Sequence, residues 1–544
     1  MQNQKPLSWF FYLCAIEGAA ALAALLLIPS EGGRLSPARL ALIGTLLTLI
    51  VLWLYLGIRP PAGLHRFARP ASIISAALLG LTFGLLLFLL RYLDPDRLLP
   101  AYERLSPLLG YFLVLSIQIS LLLLYLYKGF HPGNLSSNKP IYLSALAAFA
   151  ILLFIFIFIS LTRLGLTPDP AYWGEPGVPI LGWQFALALV GGVCIFCIGL
   201  YVNASVLDIV LPLAIYFLAV ILWLSVPVGV LANSFYMPVG PPAFQPFPYS
   251  DAAYYDQMAH SLLVGHPYMG EIPTRPLYIV FLTAMHALFG ENYRAIIAGQ
   301  TLLLAIIPVA LYSLGKKLHS RTAGLTVALF FIFRELTALL VSSDTRVSNT
   351  KTLLVDLPTL LLLLLACLFA VRWFESKAQR DALIAGGVFG LLLLLRTQSM
   401  LLLPFLILAA LLVFGWQNRS TYALISIFIL GLVIAVLPWL VHNYLQTGSF
   451  AFDAPFQYKI IASQYAYAGN LDIHNYDFEG KGLGRVLIDF AIRDPLFVSG
   501  FITNHFLAAQ VGGLLALPLI ERYDGIFAPL HLYWMEWRGD LEWF

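Results

Sequence analysis

The stretch YSDAAYYDQMAHSLLVGHPY, residues 249–268, gathers acids, histidines and tyrosines in a chain that is otherwise rich in apolar residues. A carboxylate such as that of Asp251 can act as a general base when a hydroxyl group attacks an electrophile. An acid at the start of a helix is also ordinary, because it suits the positive end of the helix dipole. The chemistry of this residue alone leaves both interpretations open.

Asp256 and His260 are four residues apart, so on a helix they share one face, and His266 follows them. Carboxylate oxygen and imidazole nitrogen can bind a divalent ion. A hydrogen-bonded Asp–His pair on a solvated helix face is the favoured interpretation. We therefore predict no metal and no other cofactor, with a divalent ion as the less favoured alternative.

An amphipathic helix is predicted to carry these residues. Ser250 is expected to cap a helix that begins at Asp251, because its side-chain oxygen can accept a free backbone N–H. Apolar side chains follow with helical spacing, and polar side chains occupy the other face. The apolar face comprises Tyr255, Met258, Ala259 and Leu262, and the polar face comprises Asp256, Gln257, His260 and Ser261. Such a helix is expected to lie on the membrane surface.

The composition of the whole chain indicates a polytopic membrane protein. Of its 544 residues, 60% are hydrophobic and 11% are charged, where a soluble domain carries about 25% charged residues. The mean hydropathy is +0.85. A net charge of +3, spread over many short loops, does not indicate a nucleic-acid partner.

The apolar runs predict an all-α fold with about thirteen transmembrane helices, since a spanning helix needs about 20 apolar residues. The predicted spans are 8–28, 39–58, 71–90, 107–127, 141–161, 180–200, 208–231, 294–314, 322–341, 353–371, 382–395, 399–415 and 421–441. A further apolar run, 276–289, is short for a span.

The distribution of basic residues decides how the run 276–289 is interpreted. If it does not cross, the loops that share a side with the N-terminus hold 13 Lys and Arg against two acids, Glu375 and Asp381. This is the bias of cytoplasmic loops. The run is therefore predicted to lie in the outer interface, and the N-terminus is predicted to be cytoplasmic.

This topology predicts three parts of the chain. Residues 1–206 form a six-span extension, residues 207–441 a membrane core, and residues 442–544 an extracytoplasmic or membrane-surface region. The core has a long outer loop, 232–293, with interfacial helices and a second outer loop, 342–352.

Several motifs resemble the GT-C membrane glycosyltransferases, in particular the branch of protein O-mannosyltransferases and lipid A aminoarabinose transferases. The segment SDAAYYDQMAHSLLVGHPY…TRPLYIVFLTAMHALFG resembles the first outer loop of that family. Four further resemblances follow in the family's order: LYSLGKKLHSRTAGLTVAL, LLVDLPTLLLLLL, AGGVFGLLLLLRTQSMLLLPFLIL and LPWLVHNYLQTG. Together they extend over residues 208–450. Ala252 departs from the frequent Asp-Glu pair, and His442 stands where Arg is usual.

The resemblance implies an inverting, metal-independent enzyme in the cell membrane. It would move a sugar from a polyprenyl phosphate to a hydroxyl group of a protein, lipid or glycan on the extracytoplasmic face. Asp251 is then the expected base. The donor phosphate is expected to bind to Arg396, Arg275, Arg346, Lys351 and His442, because cations suit a phosphate leaving group. Substrate contacts are expected from Tyr254, Tyr255, Asp356, Asp256 and His260.

Several of these residues also have a purely structural explanation. Arg396 at the end of a span also suits snorkelling to the interface. Asp356 also suits a helix N-terminus, and outer tyrosines also serve as interface anchors. Glu17 and Asp208 are expected to make helix–helix contacts.

Two other functions are the alternatives to a transferase. A transporter or flippase for a lipid-linked sugar would favour a polar path across the membrane, whereas the polar clusters here gather at one face. The second alternative is a non-catalytic assembly subunit with the same fold, since fold does not fix function. The six N-terminal spans are expected to dock a membrane partner or to enlarge a lipid groove.

Overall fold

The computed structural model of the protein describes fourteen segments of the chain. They are residues 4–28, 36–61, 63–92, 95–128, 139–162, 182–199, 201–241, 244–340, 342, 348–448, 450, 452, 483–500 and 503. The predicted phosphate ligand Arg346 and most of the region 442–544 lie outside these residues.

The first part of the chain consists of apolar helices. They are α1 (Gln4–Leu27), α2 (Pro37–Ile58), α3 (Pro70–Tyr92), α4 (Pro95–Lys128), α5 (Lys139–Thr162) and α6 (Gly182–Ile198), with a short 3-10 helix at Leu64–Phe67. Ser36 caps α2, where its hydroxyl accepts a hydrogen bond from the backbone N–H of Arg39 at 3.2 Å.

The membrane core begins with α7 (Ala204–Ser225), which Asn203 caps. It continues with α10 (Tyr293–Leu304), α11 (Ile306–Leu318), α12 (Arg321–Leu340), α13 (Asp356–Ser376), α14 (Gln379–Leu395), α15 (Leu403–Phe414) and α16 (Arg419–Thr447). A 3-10 helix, Thr397–Leu402, joins α14 to α15. An amphipathic helix, α17 (Leu483–Arg493), lies in the C-terminal region.

The outer loop contains the remaining elements. A 3-10 helix at Val228–Leu231 precedes a minimal antiparallel pair of strands, β1 (Val239–Gly240) and β2 (Gln245–Pro246). Helix α8 (Asp251–Leu263), a 3-10 helix at Pro267–Gly270 and helix α9 (Pro276–Phe289) follow. Both predicted outer-loop helices are therefore present.

The hydropathy prediction of the fold is confirmed. Ten helices in the described residues are long and apolar enough to cross a membrane, with α10 and α11 acting as one. The other three predicted spans coincide with α5, α6 and α14. The protein is therefore an all-α polytopic membrane protein.

Contacts between helix ends show which loops share a side. Asp208 at the start of α7 forms ion pairs of 2.7 Å with Lys316 and with Arg321, which flank the loop between α11 and α12. At the opposite ends, the Ser342 hydroxyl lies 3.3 Å from the carbonyl oxygen of Val230. Asp208 thus makes the helix–helix contact predicted for it, and Glu17 does so as well, since it accepts a 2.5 Å hydrogen bond from Gln118.

The end of helix α9 lies close to the strand pair of the outer loop. Arg294, just after α9, donates a 2.9 Å hydrogen bond to the carbonyl oxygen of Phe244, well before it. Along its length α9 runs beside α8, where the Thr283 hydroxyl lies 3.4 Å from the carbonyl oxygen of Ala259. That α9 does not cross the membrane stays a prediction.

The N-terminal helices pack directly on the core through α6. Phe185 stacks on Phe330 of α12 with ring centroids 5.0 Å apart, and Trp183 contacts Phe333 at 6.5 Å. The boundary at residue 206 stays a prediction.

Candidate active site in the outer loop

Asp251 is the first residue of α8 and is exposed. No side chain in the described part of the chain bonds to its carboxylate, so the group is free to meet a ligand. The helix begins where the sequence predicts, but the predicted cap is wrong. Ser250 has φ 55° and ψ −129°, and its hydroxyl makes no capping hydrogen bond among the described residues.

Unusual backbone conformations accompany this loop. Five non-glycine residues of the outer loop have positive φ: Phe244, Ser250, Tyr268, Met269 and Arg275. Such conformations cost about 1–3 kcal/mol each and persist only where the surroundings enforce them. The loop is therefore held in one particular shape around the start of α8.

Tyr255 fixes the position of Arg275. The tyrosine is 1% exposed, and its hydroxyl accepts a hydrogen bond from the Arg275 guanidinium. The guanidinium carbon also lies 5.4 Å from the centre of the Tyr255 ring. Tyr278 covers the same ring with centroids 5.5 Å apart. Tyr255 thus supports Arg275 from within the core, and its ring is not an open platform.

Tyr254 is the more accessible of the two tyrosines. It is half-buried, and its hydroxyl accepts a 3.3 Å hydrogen bond from the backbone N–H of Thr274. This contact ties the first turn of α8 to the segment that leads into α9.

Arg396, which follows the last residue of α14, and Asp356, the first residue of α13, form an ion pair. The second carboxylate oxygen of Asp356 accepts a 2.6 Å hydrogen bond from the Ser348 hydroxyl. Both side chains stay more than a third exposed. Arg396 therefore keeps donors for a further anion, while both oxygens of Asp356 are engaged.

The charged groups converge on Tyr255. Burial raises the pKa of its phenol, and the charges of Asp251 and Asp356 raise it further, while those of Arg275 and Arg396 lower it. Asp251 precedes Tyr255 by one turn of α8, and Arg275 contacts the tyrosine directly. The structure thus brings the predicted phosphate ligand Arg275 to a tyrosine one helical turn from the predicted base.

Lys351 occupies a buried position in the second outer loop. It is 2% exposed, and burial lowers its pKa to about 8, against the opposite influence of the Glu335 carboxylate. Glu335 is fully buried in α12 and accepts a 2.6 Å hydrogen bond from the backbone N–H of Thr350. Lys351 therefore lies beneath the loop surface, next to an acid.

A polar network holds this second loop against α9 and α10. The Gln300 amide donates to the carbonyl oxygens of Thr350 at 3.0 Å and Thr352 at 2.9 Å. Its own oxygen accepts a 2.7 Å hydrogen bond from the Tyr278 hydroxyl. The backbone of Lys351 is fixed between these two anchors.

His442 lies at the outer end of α16 in an aromatic group. Its ring stacks on Trp439 with centroids 5.5 Å apart and meets Tyr268 edge-on at 5.4 Å. It is half-buried. The histidine links α16 to the 3-10 turn that follows α8.

Asp256 and His260 belong to a second cluster on α8. Asp256 is 6% exposed and accepts 2.8 Å hydrogen bonds from Tyr293 and from His286 Nε2, while His260 Nε2 lies 3.4 Å away. The predicted solvated face is therefore wrong at Asp256, because α9 and α10 cover it and supply its partners. Burial lowers the pKa of His286, whereas Asp256, the Gly290 carbonyl and Glu291 together raise it, and the net shift is upward.

Four residues of these networks were not predicted from the sequence: Gln300, Glu335, His286 and Tyr293. Gln300 and Glu335 carried a usable signal, because polar groups inside apolar spans are costly and mark functional or packing sites. His286 and Tyr293 gave none, since each is a single polar residue whose partner, Asp256, is 30 and 37 residues away, respectively.

One family model matches the chain, over residues 266–442, and it describes dolichyl-phosphate-mannose-protein mannosyltransferases. The match contains Arg275, the second outer loop and Arg396, while Asp251 precedes it. No curated protein and no solved structure matches the chain significantly. The match and the membrane-length helices together support a membrane glycosyltransferase of the mannosyltransferase type. The predicted resemblance to the GT-C membrane glycosyltransferases is thereby confirmed for residues 266–442.

Proposed function

We propose that the protein transfers a sugar from a polyprenyl phosphate to an acceptor hydroxyl on the extracytoplasmic face of the cell membrane. The observation that carries the proposal is the contact of Arg275 with Tyr255, one helical turn from the free Asp251 carboxylate. The transfer needs a base and a phosphate-binding cation, and Asp251 and Arg275 are the residues that would supply them, with Arg396 as a second cation. The family match supports the same activity class.

In the proposed reaction the acceptor oxygen forms a bond to the anomeric carbon as the bond from that carbon to the phosphate oxygen breaks. Asp251 takes the proton of the acceptor hydroxyl. Arg396 and Arg275 hold the phosphate and stabilise the charge that it gains. Direct displacement inverts the anomeric centre.

Asp251 acts alone as the acid–base group in this proposal. Ala252 is fully buried in the hydrophobic core of the outer loop, where a second acid would have no solvent. Asp356 is a less suitable base, because Arg396 and Ser348 engage both of its oxygens.

The rate of sugar transfer by the variant Asp251→Asn tests this proposal. The full-length protein is reconstituted in liposomes with mannosyl polyprenyl phosphate carrying a radiolabel, and membranes that lack the protein serve as the acceptor source. We expect the rate to fall about a hundred- to ten-thousand-fold, since the variant keeps the size of the side chain and loses the proton acceptor.

Glu271→Gln is the matched control, because Glu271 is an exposed acid of the same outer loop. It should transfer at the parent rate. Equal rates for Asp251→Asn and the parent would assign Asp251 to the helix terminus alone. Movement of intact donor across the liposome, with no labelled product, would indicate a transporter instead. If the parent protein neither transfers sugar nor moves the donor, it would be a non-catalytic subunit.

A further inference from the structure

We propose that Asp256, His260 and His286 bind a divalent transition-metal ion of the zinc type, which clamps α8 to α9. One ligand atom from each residue lies within 4.8 Å of the other two. The rings of His260 and His286 approach with centroids 4.2 Å apart, although one residue is on each helix. The side chains therefore converge on one point between the helices.

The second nitrogen of each imidazole has a partner of its own. His286 Nδ1 lies 3.0 Å from the carbonyl oxygen of Gly290, and His260 Nδ1 lies 3.5 Å from a carboxylate oxygen of Glu291. Histidines that bind metals almost always donate this second N–H to a carbonyl or carboxylate, which fixes the ring and its tautomer. Both Nε2 atoms are thus directed toward Asp256.

Asp256 is oriented in the same way. The Tyr293 hydroxyl donates a 2.8 Å hydrogen bond to one of its oxygens, and the other lies 2.8 Å from His286 Nε2. A metal ion would take the place of the proton between these two atoms and release it to solvent. The carboxylate would keep the hydrogen bond from Tyr293 as outer support.

Two imidazole nitrogens and one carboxylate oxygen suit Zn²⁺ better than Mg²⁺ or Ca²⁺, which prefer oxygen ligands. Asp256 and His286 are buried, whereas the His260 side chain is 32% exposed and Glu291 is 71% exposed. This exposed edge gives the ion a path into the site and room for water as a fourth ligand. The less favoured metal site suggested by the sequence used Asp256, His260 and His266. In the proposed site His286 replaces His266 as the third ligand.

The full-length protein purified in detergent tests the site. It is treated with a chelator, dialysed, and exposed to ZnCl₂ or MgCl₂, after which bound metal and the Tm are measured. We expect about one Zn²⁺ per chain and a rise in Tm of a few degrees with zinc, because the ion binds only the folded state. Magnesium should do neither.

Two variants locate the effect. His260→Gln removes a partly exposed ligand and leaves the buried Asp256–His286 contact, so the variant should fold but lose both the bound zinc and the rise in Tm. His266→Gln is the control, since His266 is exposed in the same loop. A parent protein that neither retains zinc nor responds to it would overturn the proposal, as would a His260→Gln variant that behaves like the parent. Neither readout depends on sugar transfer.

Discussion

The Arg396 guanidinium and the Asp356 carboxylate form an ion pair that joins the outer ends of α14 and α13. Each residue explains the position of the other. A charge at the end of a span is costly unless it is paired or solvated, and this pair is both. Because the arginine stays partly exposed, the pair orients its guanidinium without occupying all of its donors.

Arg396→Gln should raise the donor concentration needed for half-maximal transfer. The change removes the charge but keeps polarity and much of the length. Loss of a charge-assisted contact with the phosphate is expected to cost about 1.5–3 kcal/mol of donor binding, which is roughly a ten- to hundred-fold higher requirement. The measurement is transfer as a function of donor concentration in liposomes.

Arg419→Gln is the control for this variant, because Arg419 is a cation at the opposite end of a membrane helix. It should leave the donor requirement unchanged. If Arg396→Gln also leaves it unchanged, Arg396 serves only to anchor α14 at the interface.

Gln300→Leu should destabilise the protein without touching the proposed reacting groups. The amide satisfies the carbonyl oxygens of Thr350 and Thr352 and the hydroxyl of Tyr278, and its residue is 1% exposed. Leucine has a similar volume but offers the Tyr278 hydroxyl no acceptor and removes one donor from each carbonyl, so that Thr352 keeps only the N–H of Leu354 and Thr350 only the 3.5 Å contact with the Thr301 hydroxyl. Each buried polar group left unsatisfied costs about 1–3 kcal/mol.

The check is the Tm of Gln300→Leu in detergent, compared with Thr359→Val as a control. Thr359 donates to the carbonyl oxygen of Val355, the residue before its own helix, and that oxygen also accepts the Thr359 backbone N–H, so the replacement leaves no group of another element without a partner. A Tm that falls no further for Gln300→Leu than for the control would mean that the remaining donors, Leu354 N–H and the Thr301 hydroxyl, satisfy the loop carbonyls.

The fold was predictable from the sequence because hydropathy is a local property. Each predicted span coincides with a helix, and the helix at Asp251 begins as predicted. The predicted face of α8 fails at Asp256, because helical spacing says which residues share a face but not what covers it. Its partners His286 and Tyr293 come from α9 and α10, which only tertiary packing brings together.

The proposed site was likewise predictable only in part. Arg396 and Asp356 could each be singled out from the sequence, since both are charges at the ends of apolar runs. Their pairing could not, because the residues are 40 positions apart. Ser250 illustrates a different gap: a serine before a helix predicts a cap, but here its φ is positive and its hydroxyl makes no capping hydrogen bond among the described residues.

The side of the membrane on which the loop between α15 and α16 lies can be tested by thiol labelling. The four native cysteines are replaced, and Gln417→Cys is introduced in that loop, where the side chain is exposed. A membrane-impermeant reagent added to intact cells should not label it, because helix α9 is predicted not to cross. Labelling is expected once the membrane is permeabilised.

Glu271→Cys in the outer loop is the positive control and should be labelled in intact cells. Labelling of Gln417→Cys in intact cells, with the same reagent and time, would invert the topology from α10 onward. The side of the membrane assigned to the loop around Glu271 and to the loop around Gln417 would then have to be reassigned, and with it the face on which the reaction is proposed.

Lys351 should make the stability of the protein depend on pH between about 8 and 10.5. Its pKa is lowered from 10.5 to about 8 in the folded protein, with burial as the main cause. In that interval the unfolded chain binds the proton and the folded chain does not, so raising the pH favours the folded state. The difference of about 2.5 pKa units corresponds to roughly 3 kcal/mol. Below pH 8 both states carry the charge, and the folded state bears the full cost of burying it beside Glu335.

Lys351→Met removes this group and keeps much of the side chain's volume. The Tm of the parent protein should therefore rise relative to that of the variant as the pH increases from 7 to 10, with the variant the more stable of the two at pH 7. Lys317→Met is the control, since Lys317 is exposed on the opposite face and forms a surface ion pair of small expected energy. Parallel Tm curves for the parent and Lys351→Met would show that the ammonium group is charged and well solvated in the folded protein. In that case Lys351 would be a permanent cation for the donor phosphate, and its replacement should raise the donor requirement at every pH.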